Sequence, residues 1–358
     1  MLEIVAFAIA LFFAMNIGAS GTAAAMGPAY GSGAIPNKKI AMVLVAVFAF
    51  LGALAGGEVV KTIGGGIIPN EIVDVPIVII ILASACGTLF IANLIGIPLS
   101  TSEVVVGSIV GVGIAFQALF LKELLIIVSF WIITPFVAFF MALLIGKVTI
   151  YLEKRWPQLK GKGKWKKPLV FFLIACGCIE AYAAGMNNVA NAVGPLVGAG
   201  LIEINTAVIY GGLFVGLGAI VLGGKVLETN GKKITQLSLL QGSSVSLTGG
   251  SLVIVASIFG LPVPLTQITT SAIAGIGTAA NGFQVWQKGI MKQIIKVWIV
   301  SPIFSLVIAY GLILLIRQSD FYTLFVIVSV FIATTGAFSL YHTARKEKRS
   351  TYDEGGGI

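Results

Sequence analysis

Charge is scarce in this chain. Only 10% of its 358 residues are Asp, Glu, Lys or Arg, whereas soluble domains carry about a quarter. A single histidine, His342, lies near the C-terminus, and the cysteines are Cys86, Cys176 and Cys178, odd in number and without a C-x-x-C pair. That inventory speaks against a disulfide framework and against zinc ligation, so no metal site is expected and the cysteines read as small packing residues. No G-x-x-x-x-G-K-[ST] loop occurs and no stretch is long enough for a nucleotide-binding domain, which excludes an ATP-driven pump. H-E-x-x-H and G-x-S-x-G are absent as well, so the chain offers no catalytic constellation and is expected to be neither an enzyme nor a cofactor protein.

What is abundant is apolar surface. Hydrophobic residues make up 58% of the chain, and the mean hydropathy is +1.03. Runs such as Ile40 to Val60, Val75 to Ala92, Leu124 to Ile145 and Ile294 to Ile316 approach or exceed the ~20 residues that a bilayer-spanning helix needs. Leu2 to Met15 reads as a first span, because further spans follow at once and no cleavage site precedes the polar, Gly-rich stretch after it. The lipid bilayer is therefore the expected surroundings of most side chains. The net charge of +9 does not point to nucleic acid, because the Lys and Arg residues gather at span ends, as the orientation rule of membrane proteins requires.

The chain repeats itself. Gly18, Gly27, Pro28, Gly31, Gly33, Gly56, Gly57 and Thr62 recur 167 positions later as Gly185, Gly194, Pro195, Gly198, Gly200, Gly223, Gly224 and Thr229. Gly96-Ile-Pro98 with Gly111 and Gly113 recurs as Gly260-Leu-Pro262 with Gly275 and Gly277, and Trp131-Ile-Ile-Thr-Pro135 recurs as Trp298-Ile-Val-Ser-Pro302. Charge orients the two halves oppositely. The connection with Lys38 and Lys39 is basic while its counterpart around Glu203 is acidic; that with Glu71 and Asp74 lacks basic residues while its counterpart carries Lys232 and Lys233. With those lysines, the linker Lys154 to Lys167, Lys288 and Lys292, and Arg345 to Arg349 all cytoplasmic, the chain threads as 11 crossings, N-terminus outside and C-terminus cytoplasmic.

The expected fold is thus an all-α integral membrane protein of about 11 transmembrane helices in two inverted repeats with broken helices, a build associated with alternating access around a midplane site. The expected divisions are a first membrane repeat over 1–150, a basic cytoplasmic linker over 151–167, a second repeat over 168–316, and a last helix with a basic tail over 317–358. The segments 2–35 and 168–202 exceed a straight span and contain Gly, Asn and Pro; both are expected to be broken helices that make one net crossing.

Four polar interruptions fall inside the apolar stretches, at Asn16 to Thr22, Ser100 to Glu103, Asn187 to Asn191, and Thr266 to Ser271. Isolated Ser or Gly residues commonly serve only close helix packing. Here they cluster in two repeat-related pairs, and polar groups at membrane depth are costly unless they line a site. Gly-rich breaks also free helix N-termini, which attract anions. The candidate substrate-binding residues are Ser20, Thr22, Ser100, Thr101, Ser102, Asn187, Asn188, Asn191, Thr266, Thr269, Thr270 and Ser271. Glu103, with Gln267 at its repeat position, reads either as a first-turn acid favoured by the helix dipole or as a carboxyl that couples transport to a proton or cation. Glu58, Lys61, Glu180, Lys225 and Glu228 are placed near span ends as interfacial residues.

At these residues a resemblance appears. Gly185-Met-Asn-Asn-Val-Ala-Asn-Ala-Val-Gly194 resembles the twice-repeated signature G-A-N-D-V-A-N-A of the inorganic phosphate transporter (PiT) family, and Gly96-Ile-Pro-Leu-Ser-Thr-Ser-Glu103 resembles its G-x-P-V-S-T-T-H. The resemblance covers nearly the whole chain and implies an inverted-repeat fold, an anion site between the signature segments, and ion-driven uptake by a symporter. Departures are informative: the signature Asp is replaced by Asn188 and, in the first copy Gly18-Ala-Ser-Gly-Thr-Ala-Ala-Ala, by Gly21; the histidine is replaced by Glu103 and Gln267. Together with Met15-Asn-Ile-Gly-Ala-Ser20 and the C-terminal Gly-Gly-Gly-Ile358, this pattern is similar to the sulfate permease branch of Gram-positive bacteria. Physical chemistry runs the same way, since hydrogen phosphate can donate its proton to a carboxylate while sulfate offers acceptors only and is repelled by one. If the signature Asp holds the coupling cation instead, its loss means fewer sodium sites. The expectation is import of sulfate, or a related tetrahedral oxyanion, across the plasma membrane on a proton or sodium gradient; a phosphate symporter and an oxyanion channel are the competing readings. Oligomeric state, a homo-oligomer included, is not legible.

Overall fold

The computed structural model describes residues 1–95, 99–161, 163–228, 237–282 and 289–319, with 321–323, 325–326 and 329. Every regular element among them is helical. In chain order these are α1 (Leu2–Ile17), α2 (Gly27–Gly31), α3 (Lys38–Ala53), α4 (Gly57–Gly65), α5 (Val75–Ile95), α6 (Thr101–Ala115), α7 (Leu121–Arg155), α8 (Lys166–Gly198), α9 (Ile204–Leu222), α10 (Gly224–Glu228), α11 (Leu239–Ile258), α12 (Leu265–Asn281) and α13 (Gly289–Ile313). Seven described helices are long and apolar enough to cross a membrane, and α3 with α4, bent by 71° at Leu54 to Gly56, makes an eighth. The helix α6 is shorter, at 15 residues. The expected last crossing lies mostly outside the described residues.

The ends of the helices are written locally. Asn37 accepts from the Lys39 amide to start α3, and Ser100 accepts from the Glu103 amide to start α6. Ser238 and Gln241 cap α11 reciprocally, leaving fewer orphan amides at these termini. Buried Glu153 of α7 accepts from both Ser238 and Gln241, which ties the end of α7 to the start of α11. The helix α7 continues past residue 150, so the stretch joining the halves is 156–165, with short turns at Pro157–Lys160 and Gly163–Trp165.

Glycine sets how the halves interlock. A methyl group on Gly185 of α8 would stand 1.9 Å from the Ala49 carbonyl oxygen of α3, and one on Gly18, its repeat counterpart, 1.9 Å from that of Val215 in α9. Equivalent approaches join Gly52 to Tyr182 and Gly218 to Met15, again at 1.9 Å. Each half therefore lays its opening helix along the second helix of the other half, backbone against backbone, with small residues permitting the contact. Further along, Gly64 of α4 meets Gly194 and Gly198 of α8, and Gly223 after α9 meets Ala23 after α1, so α3 with α4 advances in the same direction as α8, and the first segment in the same direction as α9. Similarly α12 packs on α7 through Gly275 against Phe139, and α6 on α13 through Gly107 against Pro302. Side chains such as Ile132, Phe136, Phe140 and Leu144 of α7 are left exposed, an apolar face that suits lipid.

The segment 2–35 is broken as expected. A π-type turn at Gly18–Thr22 follows α1, with Ser20 outside helical geometry at φ −97° and ψ −116°. Past the break, Lys38 at the start of α3 pairs with Glu228 of α10, beyond the end of α9, at 2.8 Å. The segment 168–202 is not broken, contrary to expectation: α8 runs unbroken from Lys166 to Gly198. The reason is that Asn and Gly keep the backbone N–H that a helix needs, and Pro195, which lacks one, falls in the last turn. Its glycines serve close approach instead of a kink. The residues after Ala309 form a separate unit, comprising the end of α13, a π-type turn at Leu314–Gln318 and short helical stretches from residue 321.

Candidate functional site

The polar stretch on α8 is where the other three polar interruptions meet. Spaced at i, i+3, i+4 and i+7, Ala184, Asn187, Asn188 and Asn191 share one face of this helix, and that face meets the break after α1 and the N-termini of α6 and α12. Asn188 Nδ2 donates to Thr22 Oγ1 at 3.4 Å, and Thr101 Oγ1 donates to Asn188 Oδ1 at 3.2 Å. Asn191 Nδ2 reaches Thr101 Oγ1 at 3.0 Å and Ser102 Oγ at 3.2 Å. Thr266 closes the group from α12: a methyl group on Gly21 would stand 3.1 Å from its Cγ2 and 3.8 Å from Asn188 Nδ2. All of these side chains are buried. The Asn191 Oδ1, Thr266 Oγ1 and Thr270 Oγ1 atoms have no hydrogen-bond partner.

Not every candidate faces this centre. Ser20 Oγ donates to the Leu99 carbonyl at 3.1 Å, fixing the broken segment to the start of α6. Ser100 is occupied as the α6 cap. Asn187 is fully committed to structure, donating to Ser257 Oγ at 2.8 Å and the Leu261 carbonyl at 2.9 Å while accepting from the Val263 amide at 3.2 Å. Ser102 Oγ lies 3.5 Å from Asn187 Oδ1, which joins that brace to the centre. Ser271 is buried on α12. Thr269 points elsewhere, donating to Glu180 Oε1 at 2.5 Å.

The centre is rich in donors and contains no Lys, Arg or His among the described residues. Amides and hydroxyls, with the N-terminal N–H groups of α6 and α12, are what an oxyanion requires, while a neutral cage leaves the ion free to depart. Two carboxyls are buried nearby. Glu103 Oε1 accepts from Gln267 Nε2, so the two repeat-related positions touch, and Ser301 of α13 lies beside the same carboxylate. A crevice of about 330 Å³ opens next to this pair, lined by the repeat-related Trp131 and Trp298, Pro135 and Pro302. Trp131 Nε1 is held by the Pro262 carbonyl at 3.0 Å.

Glu180 is the second carboxyl, and its expected interfacial position is wrong. It is 0% exposed, in the middle of α8. Its place was legible in the spacing, because Glu180 precedes Ala184, Asn187, Asn188 and Asn191 on the same helical face; expecting a break in α8 hid this. The other charged residues placed at span ends behave as expected where described, Glu58 and Lys61 forming an exposed pair.

The phosphate transporter family model matches residues 17–309, four-fifths of the chain and all of this centre. The chain belongs to the phosphate transporter family. Among relatives, it is 53% identical to the sulfate permease CysP of Bacillus subtilis over the full length of both chains. It is 29% identical to a putative phosphate permease of Pyrococcus furiosus, covering 82% of this chain and 91% of the relative. A solved structure described as the sodium-dependent phosphate transporter superposes with a TM-score of 0.77 at 23% identity, covering 88% of this chain and 99% of that one, which bears on the fold alone. Family membership and the apolar helices make the chain a multi-pass membrane transporter. Within the family signature, Asn188 occupies the aspartate position, and its amide supplies the donor to Thr22 that a carboxylate lacks.

Proposed function

We propose that this transporter imports inorganic sulfate across the plasma membrane, driven by an ion gradient, with the anion held among Thr22, Thr101, Asn188, Asn191, Thr266 and Thr270. The observation that carries the reading is the replacement of the signature carboxylate by Asn188 inside a neutral, donor-lined centre. A fully deprotonated tetrahedral dianion gains from such a cage and loses from a buried carboxylate. The name of the Bacillus subtilis relative runs the same way.

The Lys38 end of the bundle is taken as cytoplasmic. A cavity of about 460 Å³ lies there, lined by Asn16, Lys38, Lys39 and Lys225 beside the broken first segment, and its positive potential would draw the anion out of the centre. Glu103, paired with Gln267, carries a coupling proton, since a buried carboxyl without a cationic partner is far cheaper neutral than charged.

The deciding experiment is uptake of radiolabelled sulfate into proteoliposomes under imposed proton or sodium gradients, with unlabelled phosphate as competitor. Accumulation against a gradient that resists phosphate is the expected result. Phosphate uptake in place of sulfate would assign the activity named for the archaeal relative, and gradient-independent equilibration would assign a channel.

A further inference from the structure

Outside the anion centre, a second polar cluster lies where α8, α11 and α12 converge. Glu180 is 0% exposed and Ser246 likewise. Thr269 Oγ1 donates to Glu180 Oε1 at 2.5 Å, while Ser246 Oγ lies beside the carboxylate without completing a hydrogen bond; Glu180 Oε2 and Ser246 Oγ both lack partners. Gly249 makes the space, since a methyl group there would stand 3.0 Å from Oε1 and 3.5 Å from Thr269 Oγ1.

Among the described residues no cation compensates this carboxyl. The helices α11 and α12 carry no charged residue along their lengths. From α8 itself, Cys176 faces Glu180 one turn earlier. Among the other helices against α8, the charges of α3 and α4 are paired or exposed at their ends, and Glu103 of α6 faces Gln267. An isolated carboxylate at this depth costs several kcal/mol and instead takes up a proton. One carboxyl and two hydroxyls offer four oxygens, fewer than the ~6 that a hard metal cation takes, but a proton needs only one.

The fold does not need the group. Its repeat counterpart, 167 positions earlier, is Phe13, buried at 0% exposure. An apolar residue therefore fills the equivalent place in the first half, and retaining a carboxyl in the second requires a use. Two features connect it to the anion. Glu180 lies seven residues, about 10 Å, before Asn187 on the same face of α8, and Thr269 stands one turn after Thr266 on α12.

We propose that Glu180 is a second proton site of the transport cycle, so that each sulfate enters with two protons, one on Glu103 and one on Glu180, and no net charge. This rests on the sulfate-import reading above. A dianion entering the centre raises the proton affinity of a carboxyl about 10 Å away, at an effective dielectric of ~20, by more than a hundredfold. Anion and proton thus load together from one side; on the other, once the anion has left and water reaches the carboxyl, its proton affinity falls and the proton leaves.

The test is the limit of accumulation, which depends on stoichiometry and not on rate. In proteoliposomes clamped at zero potential with a pH difference of one unit, two protons allow sulfate to accumulate about a hundredfold and one proton about tenfold. The wild-type protein is expected to exceed tenfold, Glu180→Gln to stop near tenfold, and Glu180→Asp to regain the higher limit. A residue with a structural role only would alter the rate and leave the limit unchanged. Should Glu180→Gln fail to fold, judged by its thermal unfolding, a count of protons per sulfate with a trapped pH dye in wild-type vesicles decides. Two supports the proposal; one overturns it, as do a wild-type limit of tenfold and an unchanged limit in a folded Glu180→Gln. Accumulation driven by sodium instead of protons overturns it while leaving sulfate import standing, whereas absence of sulfate uptake by the wild type removes both.

Discussion

Restoring the signature carboxylate with Asn188→Asp tests the chemistry of the anion centre most directly. The substitution is nearly isosteric, so it disturbs packing little, but it replaces the donor to Thr22 by an acceptor and adds a charge. At ~5 Å from a dianion and an effective dielectric of ~20, the repulsion approaches about 7 kcal/mol. It is not all felt, because neutralising a carboxylate of ordinary acidity at pH 7 costs about 4 kcal/mol, and repulsion beyond that is relieved by taking up a proton. Sulfate affinity at pH 7 is therefore expected to fall by about a thousandfold and to recover about tenfold for each unit by which the pH is lowered between 7 and 5. The direction follows from protonation removing the repulsion. Phosphate, whose remaining hydroxyl can donate to the new carboxylate, is penalised less. Sulfate binding followed by tryptophan fluorescence in detergent, with phosphate as competitor, reads both effects. A sulfate Kd at pH 7 within about tenfold of the wild-type value, or a loss that does not recover in acid, would show that Asn188 does not face the anion.

Other outcomes follow from the same geometry. Glu103→Gln is expected to flatten the pH dependence of sulfate uptake, and an unchanged profile in vesicles between pH 5.5 and 8 would remove Glu103 from coupling. Asn187→Ala should lower thermal stability by about 2–4 kcal/mol, because the Val263 amide and Ser257 lose buried partners; an unfolding midpoint equal to wild type would contradict its bracing role. Gly185→Ala, whose methyl group would meet the Ala49 carbonyl at 1.9 Å, is expected to abolish recovery of monodisperse protein on size-exclusion chromatography. The buried Cys86, Cys176 and Cys178 should react with a maleimide only after denaturation.

How much of this was readable in advance can be judged residue by residue. The break at Gly18–Thr22 was legible because Gly, Ser and Thr cluster between apolar runs. The same reasoning applied to Asn187 and Asn191 failed, since asparagine within a helix keeps its backbone bond and spends only its side chain elsewhere. The candidates divided for a related reason: Thr101, Asn188, Asn191 and Thr266 meet, whereas Ser100 and Asn187 are used by a helix cap and a loop, partners that sequence spacing does not reveal. Glu180 was misplaced because the break expected in α8 put a span end beside it, whereas the unbroken helix Lys166–Gly198 places it about four turns from the nearer end.

The sequence by itself determined that this protein is built for a membrane, that it consists of two related halves, and that polar residues gather at corresponding points of each. These are one-dimensional properties: apolar run length, periodicity of glycine and proline, and the placement of charge. Only the tertiary structure decided that α1 lies along α9 and α3 along α8, that Glu103 touches its own repeat counterpart Gln267, and that Glu180 stands alone where the other half has Phe13. Those facts depend on backbones brought within contact across about 130 to 200 residues of chain, and it is packing at glycine, not any local preference, that selects which helices meet.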